Sequence, residues 1–140
     1  MGAGKNIVVV LDPGHDDTHA GARRNGLEEE DLTLKIAQYC KAELSQYNGV
    51  TVYMTRESGA CANGGGAVTS TECNTKRVEY AQSVGANVYV SMHINAGGGN
   101  GAEIFYPNQN YRSDLGTTGH DLAQQILNKI LELGIGEHGQ

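Results

Sequence analysis

The sequence lacks the marks of several large protein classes. It has no run of basic residues: ten Lys plus Arg stand against sixteen Asp plus Glu, a formal net charge of −6. A nucleic-acid backbone would be repelled on average, and nucleic acid is not expected as a partner. Long apolar runs are also missing. The longest, Ile7 to Leu11, has five residues, where a bilayer-spanning helix needs roughly 20. No basic-then-apolar leader precedes it, although a leader already removed would leave the same picture. Residues 1–4 read as an added or disordered start. No internal repeat is present. Cysteine is scarce, with only Cys40, Cys61 and Cys73. An odd count lets at most one pair close, and the absence of a CxxC pair argues against a zinc knuckle. Cys61 and Cys73 flank a glycine-rich stretch, so they are either a loop-closing disulfide or two reduced thiols, depending on the compartment. Cys40 reads as a small buried hydrophobe on a helix face.

What is present is an ordinary globular composition. A chain of 140 residues and 14.9 kDa with 39% hydrophobic and 19% charged residues has room for one domain with a buried core. The β-branched run from Asn6 to Asp12 predicts a strand buried on both faces, ended by Pro13-Gly14. From Glu29 to about Tyr47, Leu32, Leu34, Ile36, Ala37, Cys40 and Leu44 recur at helical steps behind an acidic first turn. Asn48-Gly49 marks the helix stop. Val50 to Thr55 predicts a second strand, Thr75 to Val84 a helix with Val78, Ala81 and Gln82 on one face, and Asn87 to Ile94 a third strand. Ala102 to Tyr106 predicts a fourth, short strand. A last helix runs from about Leu115 to Leu133, with Leu122, Ile126, Ile130 and Leu133 on one face. Strands alternating with helices predict an α/β fold, a single domain with a mostly parallel twisted sheet and helices on both faces.

Ligands of open α/β sheets gather at the carboxyl ends of the strands. His15 follows the first strand there, His93 closes the third, and Glu29 opens the first helix. Two imidazoles and one carboxylate form a three-ligand set for zinc with a fourth position left open. Zinc in such a site acidifies bound water to a pKa of about 7 and polarises a carbonyl. Spacing alone also allows blander roles. His15 fits a solvated loop, and Glu29 lies in the run Glu28-Glu29-Glu30-Asp31, which fits a solvated helix start. His93 follows an otherwise core-like strand and needs a partner. His19, His120 and His138 have no comparable setting and read as surface residues.

Several segments in order carry a resemblance: Leu11-Asp-Pro-Gly-His15, Gly26-Leu-Glu-Glu-Glu-Asp-Leu-Thr-Leu34, Thr55-Arg56, Arg77-Val-Glu-Tyr-Ala81, Ala86 to Ala96 with its Ser91-Met-His93-Ile-Asn95 core, and Gly101 to Tyr106. Together, from Ile7 to about Leu133, they resemble the zinc-dependent N-acetylmuramoyl-L-alanine amidases of the amidase_3 type. The resemblance implies a catalytic domain over residues 5–140 and Zn2+ held by His15, Glu29 and His93. The implied reaction is hydrolysis of the amide between the lactyl group of N-acetylmuramic acid and L-alanine. Peptidoglycan, or a muropeptide, is then the substrate, and the location is extracellular or in the cell wall. Targeting domains in a longer chain are compatible with it.

The sequence departs from that pattern. The family continues into another strand with a second glutamate acting as general base, and that strand is missing here, so the domain is expected to be C-terminally incomplete. A positioned proton acceptor contributes roughly 10²- to 10⁴-fold; Glu103 is the candidate within these residues. Asn95, two residues past His93, is the candidate donor to the substrate carbonyl. Arg56 and Arg77 match the family pattern but are expected to serve ion pairs. Two rival readings follow: a catalytically incomplete fragment or zinc-bearing wall-binding module, and a metallopeptidase of another substrate class.

Overall fold

The computed structural model describes residues 5–62, 69–95, 99–108 and 110–138. The chain divides into two compact units, Met1–Ala96 and Gly97–Gln140. The first contains β1 (Ile7–Pro13), β2 (Arg23–Arg24), β3 (Leu27–Glu28), α1 (Glu29–Leu44), β4 (Val50–Met54), α2 (Ser70–Ser83) and β5 (Val88–Met92). The second contains α3 (Gly116–Leu131).

The α/β expectation holds. β1 lies between β4 and β5 and pairs with both in parallel. The register aligns Val9 with Val52 and Val88, and Leu11 with Met54 and Val90. Because side chains alternate along a strand, these rows share one face. On it, Val9, Leu11 and Met54 pack with Ala37 of α1, joined by Leu34, Cys40 and Leu44 from the same helix. Spacings of three and four bring those four α1 residues to one side. Ile36, expected on that side, is exposed. Thr33, one turn before Ala37, is fully buried instead, its hydroxyl donating to the Gly14 carbonyl at 2.9 Å.

Asp12 alternates to the opposite face from Leu11, and there Arg77 of α2 meets it at 2.7 Å. Its carboxylate also accepts from Thr55 and Ser91, each at 2.6 Å. One buried side chain thus ties the ends of all three strands to α2. Burial raises the Asp12 pKa, but hydrogen bonds from Ser91, Thr55 and Tyr89, with the Arg77 charge, outweigh it and hold the carboxyl below its ordinary value.

Boundaries differ where local chemistry was overlooked. α2 begins five positions before the expected Thr75, because Thr69 and Glu72 form a capping box in which each side chain bonds the other's backbone N–H. Its buried face carries Cys73, Arg77 and Ala81, while Val78 is exposed. α1 stops at Leu44, and Asn48-Gly49 belongs to the turn that leads into β4, with Gly49 at φ 79°. β2 and β3 were not anticipated. They form a hairpin pairing Arg23 with Glu28 across Asn25 (φ 54°) and Gly26 (φ 76°), an Asn-Gly turn of the type that matches strand twist.

In the second unit, the expected strand Ala102–Tyr106 is not formed among the described residues. Ala102 makes one isolated parallel bridge with Glu137, and no ladder continues from it to satisfy the later backbone groups. On α3, Ala123 is buried and Ile126 and Ile130 are half-buried. Leu122 and Leu133 are exposed, and Leu133 lies past the last helical residue.

Candidate metal centre

β1 and β5 are neighbours, whereas the chain first runs from β1 to β4 on the other side. Their carboxyl ends therefore flank the point where the strand order reverses, the usual ligand crevice of such sheets. His15 follows β1 there and His93 follows β5. Glu29 enters from the first residue of α1, delivered by the β2–β3 hairpin.

The three side chains converge. Glu29 Oε1 lies 3.4 Å from His15 Nε2 and 3.3 Å from His93 Nδ1. The two rings meet edge to face with centroids 4.9 Å apart. One donor atom from each of the three lies within 4.8 Å of the others. Glu29 is 4% exposed, so the solvated helix-start reading fails for it. Its carboxylate is buried because it has partners: Oε1 accepts from the Ile94 N–H at 2.7 Å and Oε2 from the Ala22 N–H at 2.8 Å. Both histidine side chains keep a solvent edge.

The neighbouring Glu30 is buried as well, but faces away from this group. It accepts from the Gly21 N–H at 3.1 Å and pairs with Arg23 at 2.8 Å. Burial raises its pKa, and the Arg23 bond and charge with the backbone N–H groups bring it below the ordinary value. The acidic run is thus divided by position, with Glu29 turned to the histidines and Glu30 to structure.

His15 is held in a left-handed backbone conformation, φ 62°, uncommon outside glycine and typical of functional turns. Its Nδ1 lies 3.1 Å from the His19 carbonyl. A carbonyl only accepts, so Nδ1 carries a proton, and Nε2 is the ring nitrogen that faces Glu29. Two glycines make room. A Cβ at Gly14 would lie 2.4 Å from His93 Cε1, and one at Gly21 would lie 2.5 Å from Glu29 Oε2.

Two imidazoles and one carboxylate, prearranged with fixed orientation and open to solvent on the histidine side, fit a divalent cation of the zinc type. Asn95 is exposed, and β5 ends at Met92. The strand alternation invoked for Asn95 therefore does not extend to it. Glu103 belongs to the second unit, where its Oε2 lies 3.5 Å from His138 Nδ1. There it lines a cavity of about 240 Å3 with Tyr106, His120, Glu137 and others.

Sequence reasoning missed the supporting residues. His19 is no surface residue: its Nδ1 meets both carboxylate oxygens of Asp16 at 3.1 Å and its side chain is mostly buried. Arg77 makes the expected ion pair, but Arg56 instead donates to the carbonyls of Pro13, Gly14, Glu30 and Ser58. The available signal was the Asn25-Gly26 pair, whose turn chemistry predicts the hairpin that delivers Glu29. Cys61 and Cys73 are joined in a disulfide, with Cα atoms 6.1 Å apart, and Cys40 is free.

An α/β unit with a histidine, histidine and carboxylate set at its strand switch point has the layout of a metal-dependent hydrolase. The chain belongs to the N-acetylmuramoyl-L-alanine amidase family, whose model matches residues 9–137. It is 33% identical over 128 residues to the N-acetylmuramoyl-L-alanine amidase CwlM of Bacillus licheniformis, covering 90% of this chain and 46% of that protein. It is 34% identical over 103 residues to a sporulation-specific N-acetylmuramoyl-L-alanine amidase of Bacillus subtilis, covering 72% of this chain and 36% of that one. Among solved structures it resembles the N-acetylmuramoyl-L-alanine amidase AmiC2 of Nostoc punctiforme. The TM-score is 0.72 and the identity 31%, covering 97% of this chain and 68% of that one. The chain thus spans less than half the length of these two curated relatives.

Proposed function

We propose that this chain acts on peptidoglycan as a zinc-dependent amidase, cleaving the bond between the lactyl group of N-acetylmuramic acid and L-alanine of the stem peptide. The observation that carries the reading is the convergence of His15 and His93 on the buried carboxylate of Glu29, within a chain of this family. In it, His15, Glu29 and His93 hold the metal. Zinc, when bound, supplies a Lewis acid for the scissile carbonyl and lowers the pKa of water. The chain's own residues set the geometry. The Ile94 and Ala22 amides fix both oxygens of Glu29, and the His19 carbonyl fixes the tautomer of His15. Asn95 is assigned to the substrate side as a hydrogen-bond donor. The site of action is the cell wall or its exterior; among the described residues no helix is long and apolar enough to cross a membrane.

The test is incubation of the zinc-loaded chain with purified muropeptides and mass spectrometry for stem peptide beginning at L-alanine. Release that a chelator abolishes is the expected result, and no release despite bound zinc overturns the catalytic reading. A second reading, a zinc-bearing wall-binding module without a proton acceptor, is favoured by one observation: the described group around His15 and His93 gathers the single carboxylate of Glu29. Zinc-dependent sedimentation with wall sacculi and no peptide release would establish it. Release from Glu103→Gln at the wild-type rate would remove Glu103 as general base.

A further inference from the structure

Beside the turn that carries His15 lies a second gathering of reactive side chains, Asp16 with Cys61 and Cys73, all buried. The two cysteines form the disulfide, and Cys73 Sγ lies 3.1 Å from Asp16 Oδ2. A disulfide sulfur has no hydrogen to donate, so this is a packing contact. Asp16 in turn organises its own loop. Its Oδ1 accepts the N–H groups of Thr18 and His19, each at 2.9 Å. That loop ends at the His19 carbonyl, which takes the Nδ1 proton of His15.

The disulfide grips this turn from two sides. Arg77, one helical turn after Cys73 on α2, donates to the His15 carbonyl at 2.6 Å. The segment leading into Cys61 meets the turn through Gly59, whose carbonyl accepts the Asp17 N–H at 2.8 Å. His15 itself holds φ 62°, a conformation that persists where its surroundings over-determine it.

We propose that the Cys61–Cys73 disulfide is a positioning element for His15. It clamps the segment before Cys61 and the start of α2 onto the Asp16 turn, and opening it releases the imidazole from the geometry in which it meets Glu29 and His93. The inference rests on the metal assignment made above. Opening by a dithiol is balanced: the dithiol gives two electrons and two protons, both cysteines become thiols, and the dithiol closes to its own disulfide. The metal centre is therefore assembled where disulfides persist and loosened where thiols are kept reduced.

The test uses the whole chain and its Cys61→Ser/Cys73→Ser double variant, which needs no chelating reductant. Zinc affinity is measured by competition with a chromophoric chelator, and ring proton–carbon resonances of the histidines are recorded without metal. The variant is expected to bind zinc about 10- to 100-fold more weakly, the range for losing support behind a ligand. Its His15 resonances shift while those of His120 stay. Unchanged affinity, or unchanged His15 resonances in a folded variant, overturns the proposal. If the double variant does not fold, Cys61→Ala/Cys73→Val, which refills the buried pair with apolar side chains and leaves no disulfide, decides it. Weaker zinc binding there supports the clamp and wild-type binding overturns it. Failure of the metal assignment is read separately, as full zinc retention by His93→Ala; the ring resonances then judge the clamp alone.

Discussion

The Ile94 amide donates to Oε1 of Glu29 at 2.7 Å, joining residues 65 apart in sequence. The strand end that supplies one histidine therefore also orients the carboxylate that both histidines face. A buried carboxylate held this way loses little freedom when it binds a cation, which is the physical basis of a preorganised site.

Removing a ligand is expected to abolish stoichiometric zinc while leaving the fold intact. Glu29→Gln and His93→Ala are the variants. Elemental analysis after dialysis, paired with far-ultraviolet circular dichroism, checks them. Stoichiometric zinc in either folded variant contradicts the ligand set.

Gly14→Ala is expected to damage both stability and the site. The added methyl would lie 2.4 Å from His93 Cε1 and 2.6 Å from the Met92 carbonyl. Backbone cannot give way cheaply, so about 1–3 kcal/mol of destabilisation follows. Gly136→Ala, with nothing within 4 Å of the added carbon, is the control. Equal urea midpoints for the two would refute the close-approach argument.

Asp12→Asn is expected to destabilise the chain by about 1–3 kcal/mol, because it removes the carboxylate 2.7 Å from buried Arg77 and leaves that guanidinium only Asp16 at 3.5 Å. The same pair sets a pH dependence. Asp12 titrates below its ordinary 3.8 in the folded chain. Its contribution is therefore complete above that ordinary value and is lost as pH falls through the lower folded one. Urea titrations from neutral pH into the acid range should show this loss in the wild type and a flatter profile in Asp12→Asn. Parallel profiles would count against it.

Gly26→Ala is expected to cost about 1–2 kcal/mol through backbone strain alone. Its φ is 76° and an added carbon meets nothing within 4 Å. Because the hairpin delivers Glu29, zinc affinity should fall with stability. Asn25→Gly, at φ 54°, should be tolerated. A Gly26→Ala melting temperature equal to wild type would show that the turn carries no such strain.

Much of the fold was legible because its cause is local. The run Ile7 to Leu11 has to be a strand, buried from Val9 onward though Ile7 is exposed, and Leu34, Ala37, Cys40 and Leu44 have to share a helix face. Those periodicities predicted parallel pairing, which the register of β1 with β4 and β5 bears out. Thr69 with Glu72, and Asn25 with Gly26, were equally local signals that apolar periodicity overlooks, since capping and turn chemistry depend on single polar residues. The strand predicted over Ala102 to Tyr106 marks the opposite limit. Alternation is a preference of the segment, whereas a ladder also needs a partner, and the described residues give Ala102 one bridge.

By itself the sequence determined the α/β class, the positions of the parallel strands and the three residue types suited to a metal. Family resemblance singled out His15, Glu29 and His93, and favoured Glu29 over Glu30 through its spacing from Gly26 and Leu34, but no periodicity of the helix says which of the two meets the histidines. Tertiary structure decided that. A one-residue step along α1 rotates a side chain by about 100°, which turns Glu29 toward the ends of β1 and β5 and Glu30 toward Arg23 and Gly21. The tertiary structure also decided that Asp12 would tie three strand ends to Arg77 and that Cys73 would rest on Asp16. Those contacts join residues far apart in sequence, and no periodicity along the chain encodes which of them meet.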